Sequence, residues 1–245
     1  NGIRSAISKG LIDWIKEENP DVLCFQETKA QPEQIDTSLF EALGYHCYFH
    51  SAEKKGYSGV GILSKTKPDN VVIGMGNPKY DSEGRVIRAD FGDISVMSVY
   101  VPSGTTGGIR QDFKMEFLYD STTFIHNLRL SYPKLVISGD YNIAHKPIDI
   151  NHPERQVGVS GFLPEERDWL TDFLESGFTD SFRAIDPSPE KYSWWSYRAG
   201  ARTRNMGWRI DYHLISQALV AQLKHAAILS DVVHSDHCPV SIDLT

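Results

Sequence analysis

The segment from Lys134 to Asn142, KLVISGDYN, carries the clearest architectural signal in the chain. Its run Leu135-Val136-Ile137 does not alternate with polar residues, so it predicts a strand that is buried on both faces. Such a strand needs layers of structure above and below its sheet. The segment then ends in Asp140 and Asn142, which places polar groups where the rigid strand stops.

Other segments repeat these signals. Runs of β-branched and aromatic residues predict further strands at 22–26, 59–63, 85–91, 94–101, 208–215, 226–233 and 238–244. Helical periodicity is rarer, and it predicts helices before Asn19, over about 110–130, and from Pro164 to Gly177. Because no repeat or linker divides the chain, we predict one domain over residues 1–245 with a mixed α/β fold.

The composition limits the class of protein. Hydrophobic residues are 40% and charged residues 23% of the 245 residues, which excludes collagen-like and broadly disordered chains. The net charge of −7 means that a polyanion would have to bind a local basic surface. No apolar run approaches the ~20 residues of a membrane span, and the three cysteines lack a metal or disulfide spacing. We therefore expect a cytoplasmic monomer without a membrane partner.

Several predicted strands lead directly into acidic side chains. Glu27 follows the strand at 22–26, Asp211 lies within an apolar strand, and Asp236-His237 follows another apolar run. Taken singly, each acid has a structural alternative, since Asp140 suits an ordinary turn, Glu27 a helix start and Asp236 an N-cap. Asp211 is harder to explain in this way, because a carboxylate among apolar neighbours needs a partner or a shifted pKa.

If these acids converge, they need a counter-cation. Two carboxylates about 4 Å apart repel by roughly 4 kcal/mol at an effective dielectric constant near 20. Hard oxygen ligands favour Mg²⁺, with Mn²⁺ as a substitute, over structural zinc. Mg²⁺ that is held by few carboxylates and keeps its waters is typical of phosphate chemistry, which is the predicted reaction class.

Eight motifs, in order along nearly the whole chain, resemble the exonuclease III family of abasic-site endonucleases, within the endonuclease/exonuclease/phosphatase (DNase I-like) superfamily. They are Gln26-Glu27-Thr28-Lys29, Gly56-Tyr57-Ser58-Gly59-Val60-Gly61, Glu83-Gly84-Arg85-Val86-Ile87, Tyr100-Val101-Pro102, Gly139-Asp140-Tyr141-Asn142-Ile143-Ala144-His145, Gly161-Phe162-Leu163-Pro164-Glu165-Glu166-Arg167, Gly207-Trp208-Arg209-Ile210-Asp211-Tyr212 and Ser235-Asp236-His237-Cys238-Pro239. The resemblance implies a four-layer α/β sandwich, in which two packed mixed β-sheets are flanked by helices. It also implies Mg²⁺-dependent incision of double-stranded DNA 5′ to abasic sites and trimming of 3′ ends.

The resemblance also implies roles for individual residues. Glu27 would be the principal metal ligand, with Asn1 beside it and Asp236 completing the metal-side network. Asp140 would orient or deprotonate the attacking water, and Asn142 would position it. His237, held by Asp211, would donate to the phosphate, and Tyr100 would contact the phosphate or leaving oxygen. A two-metal alternative, in which Asp140, Asn142 and His237 bind a second ion, stays open.

DNA binding is predicted from a local basic stretch. Residues 183–209 hold six basic residues against two acidic ones, interleaved with aromatic side chains, a composition that suits phosphate contacts and a pocket for a flipped sugar. A solvated loop over an aromatic core is the alternative. The resemblance places pocket walls at Trp194, Trp208 and Ile210, a residue that inserts into DNA at Arg198, and Lys29 near the acids. It places further DNA contacts at Arg4, Lys9, Tyr57, Arg85 and Arg110.

Three departures separate the chain from the family pattern. The family's first strand is expected to precede residue 1, Ser103 stands where an Asn is common, and Arg198 replaces an apolar side chain. Two other functions remain as alternatives. One is another phosphodiesterase of the superfamily, such as a non-specific DNase or a phosphatase, and the other is a non-catalytic DNA-binding module.

Overall fold

A computed structural model of the chain describes residues 2–245. Asn1, which the resemblance placed beside the metal, lies outside the described residues. The α-helices are α1 (Ile3–Ser8), α2 (Leu11–Glu18), α3 (Ser38–Glu41), α4 (Pro78–Asp81), α5 (Gly108–Ser131), α6 (Pro164–Glu175) and α7 (Ser181–Ile185). The strands are β1 (Val22–Gln26), β2 (His46–His50), β3 (Val60–Ser64), β4 (Asn70–Ile73), β5 (Val86–Phe91), β6 (Ile94–Tyr100), β7 (Lys134–Asp140), β8 (Phe178–Asp180), β9 (Trp194–Trp195), β10 (Gly207–Trp208), β11 (Asp211–Ser216), β12 (Leu223–Ile228) and β13 (Val240–Leu244).

The chain forms two compact units, each built from two segments. The first comprises the chain up to Tyr100 together with Leu135–Gly139, and the second comprises Val101–Lys134 and Asp140–Thr245. The prediction of a single domain is not tested by this division. Among the described residues, no helix has the length and apolar character that crossing a lipid bilayer would require.

The first unit stacks helices and two sheets. Strands β1, β3 and β2 form an antiparallel sheet, and β4, β5, β6 and β7 are neighbours in a second one. In β1, Leu23 and Phe25 pack with α1 and α2, whereas Val22 and Cys24 pack with residues of β3 and β5. Both faces of β1 are therefore covered, which explains why its sequence does not alternate.

The second unit is organised by aromatic contacts. Trp169 and Phe173 of α6 stack at 5.3 Å, and Phe173 stacks on Phe178 of β8 at 4.6 Å between ring centroids. Tyr141, just after β7, meets Tyr212 of β11 edge to face at 5.4 Å. This packing anchors the starts of β8 and β11 and the turn that carries Asp140 and Asn142.

The mixed α/β class and most predicted elements are confirmed. The strand predicted at 208–215 is divided into β10 and β11, and the strand predicted at 226–233 is wrong beyond Ile228, where β12 ends. The peptide groups of 229–235 instead form a loop, in which three carbonyls accept hydrogen bonds from Arg202. Strands β4, β8 and β9 were not predicted because they have only two to four residues, too few to show a pattern, and the five-residue strand β2 was not predicted either.

Gly139 illustrates how tightly the strands of the first unit approach each other. A Cβ atom at this position would lie 2.2 Å from the carbonyl oxygen of Val99, which is backbone and cannot rotate away. We therefore expect Gly139→Ala to lower the free energy of unfolding, measured by urea denaturation, by about 1–3 kcal/mol. Gly108→Ala is the matched control, since its Cβ would meet no atom within 4 Å. Equal stability of the two variants would contradict the argument.

Candidate active site

Three predicted site residues cluster in the second unit. Asp140 ends β7, Asp211 begins β11, and His237 lies in the loop before β13. His237 Nδ1 lies 2.9 and 3.1 Å from the two carboxylate oxygens of Asp211, and His237 Nε2 lies 3.9 Å from Asp140 Oδ2. One ligand atom from each residue falls within 4.8 Å of the others. The predicted Asp211–His237 pairing is therefore present in the structure.

The carboxylates around His237 favour its charged form. Burial alone would lower the pKa of His237, but Asp211, Asp140 and Asp236 outweigh burial and raise the pKa to about 10. The side chain remains 23% exposed. An imidazolium that is both oriented by Asp211 and accessible can donate a hydrogen bond to an anion such as a phosphate oxygen.

The carboxylate of Asp211 is itself fixed by Ser193, a residue that the sequence analysis did not single out. Ser193 Oγ donates to Asp211 Oδ2 at 2.6 Å and accepts the backbone N–H groups of Ile210 and Asp211, each at 3.1 Å. Ser193 is fully buried. A serine between an aromatic pair and a charged loop gives no distinctive sequence signal, so only the fold shows this contact.

A strained turn presents Asp140 and Asn142. Asn142 has φ 51°, in the left-handed region that non-glycine residues rarely adopt. Its backbone N–H donates to Asp140 Oδ1 at 2.9 Å, and its Nδ2 donates to the carbonyl of Val101 at 2.9 Å. Val101 in turn donates its N–H to the carbonyl of Asp140. These bonds hold the two polar side chains in one arrangement.

Asp236 is held by neighbours of the same unit. Its carboxylate accepts from Ser235 Oγ at 2.9 Å and from Trp194 Nε1 at 3.1 Å. Burial would raise the pKa of Asp236, but His237, Ser235 and Trp194 together lower it below its ordinary value. Asp236 is therefore an anion beside His237.

The predicted pocket residues form one apolar cluster. Trp194 and Trp208 cross at 87° with ring centroids 6.0 Å apart, and Trp194 lies 6.5 Å from the His237 ring. Both indoles are partly exposed, whereas Ile210 is buried beneath them with Phe162. Tryptophan faces next to the imidazole thus offer an apolar surface to a ligand that His237 contacts.

In the first unit, the carboxylate of Glu27 is held by a hydroxyl and an ammonium group. Glu27 has φ 53°, its Oε1 accepts from the Tyr100 hydroxyl at 2.5 Å, and its Oε2 lies 3.2 Å from Lys29 Nζ. The Lys29 contact agrees with the prediction that this lysine neutralises nearby acids. The carboxylate oxygens of Glu27 are hard ligands of the kind that Mg²⁺ or Mn²⁺ prefers.

Arg85, which the resemblance places on the DNA face, is only 1% exposed in this structure, and its direct contact with DNA stays a prediction. Its guanidinium donates to Glu83 Oε2 at 2.7 Å, to the Tyr57 hydroxyl at 2.9 Å and to the carbonyl of Tyr100 at 3.0 Å. Arg85 therefore orients Tyr57 and Tyr100 within the first unit.

Several basic side chains of the stretch at 183–209 are bound to other groups of the protein, so the stretch offers fewer contacts to DNA than its charge suggests. Arg209 is fully buried between Asp149 and Asp180, and Arg183 pairs with Asp149. The guanidinium of Arg202 donates hydrogen bonds to carbonyl oxygens of the loop at 229–235. Of the predicted DNA contacts, Arg4, Lys9 and Arg198 are exposed, and Lys29, Tyr57 and Arg110 are partly exposed. The count of charges thus overestimated the basic surface, because paired arginines are structural.

Comparison with known proteins finds similarity to the same group of nucleases that the sequence motifs resemble. Residues 6–237 match the model of the endonuclease/exonuclease/phosphatase family. The chain belongs to this family. It is 44% identical over 244 residues to an exodeoxyribonuclease of Bacillus subtilis (strain 168), covering 99% of this chain and 95% of the relative. It is 40% identical over 247 residues to the DNA repair nuclease APEX1 of Danio rerio, covering 100% of this chain and 79% of that protein.

A solved structure extends the comparison to the fold. An AP endonuclease from Archaeoglobus fulgidus superposes with a TM-score of 0.90 at 32% identity, covering 100% of this chain and 96% of that chain. The resemblance, the α/β fold and the class of enzyme, a nuclease, are therefore confirmed. The assignment of individual site residues stays a prediction.

Proposed function

We propose that this nuclease is a Mg²⁺-dependent DNA repair phosphodiesterase. It incises double-stranded DNA 5′ to abasic sites and removes nucleotides or blocking groups from 3′ ends. The observation that carries the proposal is the Asp140–His237–Asp211 cluster beside the two tryptophans, since it combines a base, an oriented cation and an apolar surface. The names of the relatives, which include an exodeoxyribonuclease and a DNA repair nuclease, support the same reaction.

In the proposed reaction, a water oxygen bonds to phosphorus while the bond from phosphorus to the 3′ oxygen breaks. Asp140 accepts the proton of the attacking water, and Asn142 holds that water in line. His237, kept charged by Asp211, donates to a non-bridging phosphate oxygen as negative charge accumulates there. Tyr100 contacts the phosphate or the leaving oxygen. When bound, Mg²⁺ supplies further stabilisation of this charge, with Glu27 and Asp236 as the residues that would hold it.

The burial of Asp140 and of the serine that holds Asp211 argues against a module that only binds DNA. Asp140 is 4% exposed and Ser193 is fully buried beneath Asp211, and a binding surface has no need of buried acids with dedicated partners. Because the proposed substrate is DNA, we place the protein inside the cell with the nucleoid, and the expected monomer stays a prediction.

The test uses a labelled duplex with one abasic analogue and an undamaged duplex with a recessed 3′ end. Each is incubated with Mg²⁺, with Mn²⁺ and with EDTA, and the products are resolved on a denaturing gel. Incision on the 5′ side of the analogue that EDTA abolishes would support the proposal. Degradation from the 3′ end alone would contradict the abasic specificity, and cutting in EDTA would contradict the metal requirement.

The proposed pocket makes its own prediction. Trp208→Ala should lower kcat/KM for incision at the abasic analogue by about 10-fold or more, since the indole would shield the apolar face of the sugar from water and burial of apolar surface contributes about 25 cal/mol per Å². Digestion of the undamaged 3′ end should fall less. Tyr119→Ala, a change of a 59% exposed aromatic on α5, is the control. An equal loss on both substrates would contradict a role in recognising the abasic site.

A further inference from the structure

A buried ion pair lies beneath the turn that carries Asp140 and Asn142. Lys114 of α5 and Glu166 of α6 have side chains that are 0% exposed, and Lys114 Nζ lies 2.6 Å from Glu166 Oε1. Neither residue belongs to the proposed reaction. Buried ion pairs are weak sources of stability, because the cost of removing two charges from water offsets their attraction. The pair therefore calls for an explanation other than stability.

Lys114 makes a second contact, to the turn that carries Asp140 and Asn142, which we call the catalytic turn. Its Nζ donates to the carbonyl oxygen of Asn142 at 2.8 Å. This carbonyl belongs to the residue with φ 51°, a conformation that persists only when its surroundings hold it. The other bonds of the turn restrain the N–H and the side chain of Asn142, so Lys114 restrains the one remaining polar group of that residue.

Glu166 connects the ion pair to the loop at 161–163, which packs against the apolar cluster. Its Oε2 accepts the backbone N–H groups of Gly161 and Leu163 at 2.6 and 2.9 Å. Gly161 has φ 96° and packs against Trp208, where an added Cβ would lie 2.8 Å from the indole ring. The Gly161 carbonyl accepts the N–H of Ala144 at 2.8 Å. The carboxylate of Glu166 therefore holds the loop against which Trp208 packs.

We propose that Lys114 is a positioning residue for Asn142, and that the Lys114–Glu166 pair couples the catalytic turn to the loop supporting Trp208. This inference rests on the proposed function for the roles of Asn142 and Trp208. A charged donor suits this role, because its hydrogen bond to a carbonyl is stronger than a neutral one and is directed by the second bond to Glu166. Lys114 acts through Asn142 and does not contact the substrate.

The central experiment separates positioning from stability. Lys114→Met leaves Glu166 as an unpaired buried charge and should lower both the melting temperature and kcat, the latter by about 10-fold or more. Adding Glu166→Gln removes that charge while keeping an acceptor for Gly161 and Leu163. The double variant should therefore regain melting temperature, whereas kcat stays low with little change in KM. Recovery of kcat together with stability would overturn the proposal.

A control variant and a second readout complete the test. Ile125→Ala truncates a buried side chain elsewhere on α5, so it should lower the melting temperature with kcat unchanged below the unfolding range. In the DNA-free protein, the ¹⁵N amide resonance of Ile143, the peptide that contains the Asn142 carbonyl, should shift in Lys114→Met and in the double variant. An unshifted resonance would contradict the contact as the means of positioning.

The outcome is distinguishable from a failure of the proposed function. Kinetics are measured on the abasic duplex and on the undamaged duplex with a recessed 3′ end. If the unmodified protein digests only the second, the abasic proposal fails, yet a loss of kcat on that substrate in the double variant still supports positioning by Lys114. Normal kcat on every substrate that the protein cleaves would overturn the inference alone.

Discussion

His237→Ala is expected to lower the cleavage rate at the abasic analogue by at least about 10²-fold. The variant removes the proposed hydrogen-bond donor to the phosphate, while the tryptophans and exposed basic residues that would bind DNA remain. Affinity for DNA, measured by fluorescence anisotropy in EDTA to prevent cleavage, should therefore stay within about tenfold of the unmodified protein. The same pattern is expected for Asp140→Ala, which removes the base.

The control for this experiment is His225→Ala, because His225 is an exposed histidine on β12 outside the cluster. Its cleavage rate should equal that of the unmodified protein. If His237→Ala instead lost DNA affinity while each bound complex turned over at the normal rate, His237 would be a binding residue. The assignment of Asp140 would be contradicted by the same result in Asp140→Ala.

Asp149→Ala is expected to cost about 3–5 kcal/mol of unfolding free energy, because it breaks a buried ion pair. Asp149 Oδ1 lies 2.7 Å from Arg209 Nε and 2.7 Å from Arg183 Nη2, and both Asp149 and Arg209 have side chains that are 1% exposed. Removing this carboxylate leaves the Arg209 guanidinium buried with Asp180 as its remaining partner. Urea denaturation monitored by tryptophan fluorescence would measure the loss.

A matched variant is Asp186→Ala, which removes another acid that lies close to Arg183 in the chain. Asp186 bonds Ser188 rather than a buried arginine, so its loss should cost far less stability. Comparable destabilisation by the two substitutions would contradict the role assigned to the buried network.

The same network predicts the direction of the pH dependence. Burial would raise the pKa of Asp149, but Arg209 and Arg183 outweigh it and hold the pKa below its ordinary value. The stabilising contribution of this acid is therefore complete above its unfolded pKa of about 3.9, and it is lost as the pH falls through the lower folded pKa. The difference in stability between the unmodified protein and Asp149→Ala should shrink over that acidic range.

The sequence predicted the class of fold and the class of enzyme correctly, for identifiable reasons. The strand at Leu135–Ile137 was predictable because burial on both faces leaves a continuous apolar run in the sequence. That Asp211 needs a partner was predictable because it is an acid within an apolar strand, and the resemblance supplied His237 as that partner. Ser193, Lys114 and Glu166 were missed, since a buried polar residue that serves another residue far along the chain has no local pattern.

The amino-acid sequence by itself therefore determined an α/β nuclease with acids at the ends of its strands. The tertiary structure alone decided which charges are free to act. Arg85 and Arg209 count as surface charge in the sequence, yet both are buried against carboxylates, whereas the imidazole of His237 keeps access to solvent. The physical reason is that periodicity reports whether a segment faces solvent, whereas the partner of a buried charge depends on which distant segments the fold brings within a few ångströms.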